Sequence, residues 1–68
     1  MSSFREAKPA ICKALTSSDP VERYWGATVC ASFGEEAVSL YKELEQLLGD
    51  SQAFVKSRAV VALSRMGK

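Results

Sequence analysis

The chain has 68 residues, nine Lys or Arg against eight Asp or Glu, no histidine, and 47% apolar residues. That length allows one small domain that buries about 60% of the surface its unfolded form exposes, and the apolar content excludes a disordered chain. A net charge of +1 excludes a globally basic nucleic-acid binder or membrane-surface protein, and no apolar run approaches the roughly 18 residues that span a membrane. The N-terminus lacks a signal-peptide core, so the chain is expected to be soluble, with its compartment unknown.

The first helix is expected from about Lys8 to Ser17. Ser3 and Glu6 have capping-box spacing, which allows an earlier start, but Pro9 would then remove a hydrogen bond in the second turn. The spacing therefore favours Pro9 near the first turn, with residues 1–6 loose or only partly helical.

The second helix has the clearest start. Asp19 is the N-cap, Pro20 the first helical residue, and Glu22 follows three after the cap. It should run to Phe33, where Gly34 supplies a left-handed cap.

Glu35 and Glu36 place negative charge at the start of a third helix. Ala37, Leu40, Tyr41, Leu44, Leu47 and Leu48 form its apolar stripe in steps of three and four, and Gly49 ends it. Ser51 or Asp50 caps a fourth helix that runs to Met66, with Val55, Ala59, Ala62, Leu63 and Met66 facing inward. Phe54 and Val61 lie to one side of that stripe, with Arg58 and Arg65. The fold class is therefore all-α: two antiparallel helix pairs with no strand, in which Gly26, Ala27, Ala59 and Ala62 permit close approach.

The two pairs repeat each other at an offset of 33 residues. Ile11 falls on Leu44, Leu15 on Leu48, Arg23 on Lys56, Gly26 on Ala59, Phe33 on Met66 and Gly34 on Gly67. Such a period is the mark of stacked helical repeats, here about 8–34 and 35–67 of a single domain 1–68. The competing architecture is an ordinary four-helix bundle with accidental similarity.

Residues 15–27, L-T-S-S-D-P-V-E-R-Y-W-G-A, and more closely residues 48–67, resemble a HEAT-like repeat. The second copy matches through Asp50, Val55, Lys56, Ala59, Ala62, Leu63 and Gly67. The first departs, with Glu22 where Val is usual and Ser17 where the turn Asp is usual. The resemblance implies a short α-solenoid (an α-α superhelix) in which Arg23 and Lys56 tie the inter-helix turns through Asp19 and Asp50. The run D-P-V-E-R-Y-W-G-A, 19–27, is also similar to HEAT-like segments that follow the catalytic domain of some sulfatases. That likeness implies a supporting appendage without chemistry of its own, because neither cysteine has the Cys-x-Pro-x-Arg context of the sulfatase nucleophile.

No catalytic, cofactor-binding or metal-binding residue emerges. Glu35 and Glu36 point about 100° apart on a helix, and Cys12 and Cys30 lack a histidine partner. Neither cysteine has metal-ligand spacing, and Cys30 aligns with Leu63 as a small buried hydrophobe. The candidate interaction face is Arg23, Tyr24, Trp25, Lys56, Arg58 and Arg65. The offset aligns Trp25 with Arg58, which predicts a cation–π pair between them.

Three functions follow: a non-catalytic scaffold or protein-interaction segment, an appendage of a sulfatase-family enzyme, or a weak nucleic-acid binder through the basic last helix. The last is disfavoured, since no aromatic beyond Phe54 interleaves the cations and no basic patch is shared by both copies. The expected partner is protein, either further domains of a larger parent chain or a second copy reached through Phe54, Val61 and the helix ends. No membrane is expected as a partner.

Overall fold

The computed structural model describes residues 4–67, and they are helical throughout apart from short turns. The elements are α1 (Phe4–Leu15), α2 (Pro20–Phe33), a 3₁₀ segment (Gly34–Leu40), α3 (Tyr41–Gln46), a 3₁₀ turn (Leu47–Gly49) and α4 (Ala53–Arg65). Among the described residues there is no strand.

Helix α1 begins at Phe4, not Lys8, so Pro9 lies inside it. Phe4 is buried and meets the Phe33 ring edge-on at 5.2 Å between centroids. That anchor offsets the roughly 3 kcal/mol an interior proline costs a helix. Ser3, which with Glu6 has the capping-box spacing that allowed an earlier start, lies outside the described residues. The helix stops at Leu15, two residues short of Ser17, in a last turn where Thr16 Oγ1 donates to the Cys12 and Lys13 carbonyls.

Helix α2 follows its punctuation. Asp19 Oδ1 accepts from the Val21 N–H at 2.9 Å, and Gly34 turns the chain at φ 63° while its N–H donates to the Cys30 carbonyl. A β-carbon at Gly26 would stand 3.0 Å from Leu15 Cδ2 and 3.2 Å from Ala14 Cβ, which shows how closely α1 crosses α2.

The third helix departs most from the expectation. In place of one helix over residues 35–48, only Tyr41–Gln46 is α-helical, flanked by tighter turns. Leu40 breaks the helix with φ −101° and ψ 15°. A 3₁₀ turn eclipses residues three apart, which keeps Ala37 with Leu40 on the core side. Ala37, Leu40, Leu44 and Leu47 are buried as their spacing predicts, but Leu48 is 41% exposed. The Tyr41 hydroxyl donates to Glu45 Oε2 at 2.8 Å along the short α3.

At α4 the cap differs too. Gln52 holds the N-cap position without a side-chain cap bond, and Ser51 does not cap. Asp50 instead accepts from the Gln52 N–H at 2.9 Å in the turn before the helix. Val55, Ala59, Ala62, Leu63 and Met66 are all buried, and Ile11, Cys30, Leu40, Leu44 and Val55 form the fully enclosed centre of the core. Each large side chain so enclosed contributes about 1.5–3 kcal/mol. The most extensive packing joins α2 to α4, followed by α1 to α2.

Candidate interaction surface

Arg23 sits on the second turn of α2, where it reaches two turns at once. Its Nε donates to Asp50 Oδ2 at 2.6 Å, Nη2 to Asp50 Oδ1 at 3.2 Å and Nη1 to the Ser17 carbonyl at 2.8 Å. The paired, nearly enclosed geometry matches the planar guanidinium to the carboxylate. The hydrogen bond to Asp50 pushes Arg23 above the ordinary guanidinium value, with the charges of Asp50 and Asp19 adding to it and desolvation opposing. The Arg23 hydrogen bond likewise holds the Asp50 carboxyl below its usual range; desolvation opposes, while the Gln52 N–H and the Arg23 and Lys56 charges assist. The partner of Arg23 is thus Asp50, not the expected Asp19, whose carboxylate is committed to the α2 cap.

One helical position further, Tyr24 organises the α2–α4 contact. Its ring meets Phe54 edge-on at 5.6 Å, Arg58 lies over the same ring at 5.2 Å, and Arg58 Nη2 donates to the Tyr24 hydroxyl at 3.0 Å. The expected Trp25–Arg58 stack does not form. Successive helical residues point about 100° apart, so Tyr24 faces α4 while Trp25 turns toward α1. There Trp25 lines an open groove of about 500 Å³ with Val21, Glu22, Ala10, Lys13 and Ala14.

A smaller groove of about 210 Å³ runs between α2 and α4, where Arg58 and Arg65 share walls with Thr28, Ala31, Ser32 and Val61. Lys56 is exposed and lies on the opposite side of α4 from those two arginines. The six candidate residues therefore do not share one face. Arg23 belongs to the turns, Tyr24, Arg58 and Arg65 to the α2–α4 side, Trp25 to the α1–α2 groove, and Lys56 to the far side of α4. Val61 is half-buried and packs on the core, which removes it from the exposed patch expected with Phe54.

Both thiols are free. Burial, with smaller contributions from Cys12 and Glu43, pushes Cys30 up to about 12, so at neutral pH it is a protonated, apolar core side chain. Among the described residues, no cluster of three or more His, Cys, Asp or Glu could hold a metal ion, and no helix is long and apolar enough to cross a membrane.

Phe54, expected on a self-association surface, is 44% exposed but also packs on the Tyr24 ring, and Asp50, expected to tie its turn with Lys56, pairs with Arg23. Asp50 stands 33 residues after Ser17, and Arg23 grips both. Comparison with family models, curated proteins and solved structures found no match to this chain. The likeness to HEAT-like repeats therefore rests on the residues themselves.

Proposed function

We propose that the chain is a non-catalytic structural and protein-interaction unit, built of two antiparallel helix pairs stacked in the manner of HEAT-like repeats. The observation that carries this reading is the Arg23 bridge. One side chain joins Ser17 and Asp50, which occupy equivalent positions of the two copies. A contact between equivalent turns belongs to units related by a shift, the relation that defines a stack. The dominance of α2–α4 packing adds support, because alternate helices lie on a diagonal in an up-and-down four-helix ring but side by side in a stack.

The surface fits binding rather than catalysis. The larger groove is open and mostly apolar, with Lys13 and Glu22 as its only charged walls. It brings no nucleophile and base together.

Appending a third copy, a duplicate of residues 35–67, tests the reading. In a stack the added unit covers an open face and raises the melting temperature. An unchanged melting temperature, with the added helices unfolded, would overturn it. So would hydrolysis of an aryl sulfate or carboxylate ester by the purified chain.

A further inference from the structure

We infer that a second copy of this chain stacks on the first head to tail, seating its Val21–Trp25 face on the Val60 face of α4. The inference rests on the repeat reading and names the partner. Within one chain, Phe54 and Arg58 lie on Tyr24, and Ala27 is fully buried. Thirty-three residues after Tyr24 and Ala27 stand Ser57 and Val60, both exposed, Val60 by 56%. Leu15 is 2% exposed, and its counterpart Leu48 is 41% exposed. In the other direction, the counterparts of Phe54 and Arg58 are Val21 and Trp25, exposed by 64% and 48%.

Each half of the α2–α4 contact thus occurs twice, once used and once open. The open halves complement each other. The large Trp25 would fall against the small Ser57, reversing the internal order in which a large Tyr24 receives Phe54 and Arg58. Lys56, the counterpart of Arg23, is exposed on the Val60 side, and Asp19 and Glu22 are exposed where α2 begins. By the same offset Asp50 corresponds to Ser17, so Lys56 of one copy would face the polar Ser17 turn of the next, where the chain itself sets Arg23 against Asp50. The head-to-tail interface is heterologous, so it propagates instead of closing into a pair.

Sedimentation of the full chain between about 10 μM and about 1 mM, the range in which a weak interface of this kind dissociates, provides the test. Trp25→Asp and Val60→Asp each block one face at an exposed position, and circular dichroism verifies that both variants remain helical. The expected result is a wild-type mass that climbs beyond the dimer, two variants that are each monomeric, and an equimolar mixture that forms a dimer and grows no further. A wild-type monomer across the range overturns the inference. So does a variant that leaves association intact, as two-fold pairing through one face would, or a mixture that stays monomeric. If the three-copy chain melts higher while separate copies stay apart, intermolecular stacking alone fails; if neither occurs, the repeat reading fails with it.

Discussion

Arg23 and Asp50 stand 27 residues apart and meet through two hydrogen bonds of 2.6 and 3.2 Å. The same guanidinium holds the Ser17 carbonyl, so the turn before α2 and the turn before α4 are fastened at one point. Asp50 in turn accepts from the Gln52 N–H, which orients the chain as it enters α4.

Asp50→Asn is therefore expected to lower the urea midpoint, and the loss should depend on pH. The folded pKa of Asp50 is depressed, so its contribution is full above the unfolded value of about 3.9 and is lost as pH falls through the lower folded value. Urea melts of wild type and variant should differ clearly at about pH 6 and converge toward about pH 2. Equal differences at both ends would show that the charge is not what Asp50 supplies.

Gly26→Ala sets helix propensity against space. Alanine gains about 1 kcal/mol within a helix. The new methyl would press on Leu15 and on the Ala14 β-carbon, which cannot rotate away. Crowding of this kind costs about 1–3 kcal/mol, so the net expectation is a loss of about 1 kcal/mol. Adding Leu15→Val should recover part of it, and denaturant melts of the single and double variants measure both.

Tyr24→Phe keeps the ring contacts with Phe54 and Arg58 but removes the hydroxyl that Arg58 binds. It should cost about 0.5–1.5 kcal/mol, the usual net worth of one hydrogen bond. Tyr24→Ala removes both ring contacts as well and should cost distinctly more. Thermal melts that place the two variants together would show that the ring itself contributes nothing.

The two thiols should separate by reactivity. Cys30 is enclosed, and burial pushes its thiol up to about 12, whereas Cys12 is half-buried. A disulfide reagent at about pH 8, near the ordinary thiol pKa, should label Cys12 first and Cys30 only on the timescale of unfolding. Cys30→Ser, which places a hydroxyl in the apolar core, should cost about 1–3 kcal/mol.

Much of the fold was legible in the sequence where local chemistry decides. Asp19, Pro20 and Gly34 bound α2 at the residues their chemistry predicts. The inward stripe of α4 was equally plain, because its steps of three and four leave one solution for Val55, Ala59, Ala62, Leu63 and Met66. Where packing decides, local signals misled. The Phe4–Phe33 contact carries α1 past Pro9, and the tight turns around Leu40 and Leu47 interrupt a pattern that looks continuous on a helical wheel.

The interaction surface was less legible for a related reason. The 33-residue offset identifies equivalent positions, but side-chain direction chooses which equivalents touch. Arg58 aligns with Trp25 and meets Tyr24 instead. Arg23 was read as a tie within its own turn, yet its carboxylate partner, Asp50, lies in the turn before α4.

Nuclear Overhauser contacts of the Tyr24 ring test the stacked arrangement most directly. Strong contacts from that ring to Phe54 and to the Arg58 side chain are expected, since α2 and α4 then lie side by side. A Tyr24 ring in solvent, with α2 and α4 separated by α1 and α3, would contradict it.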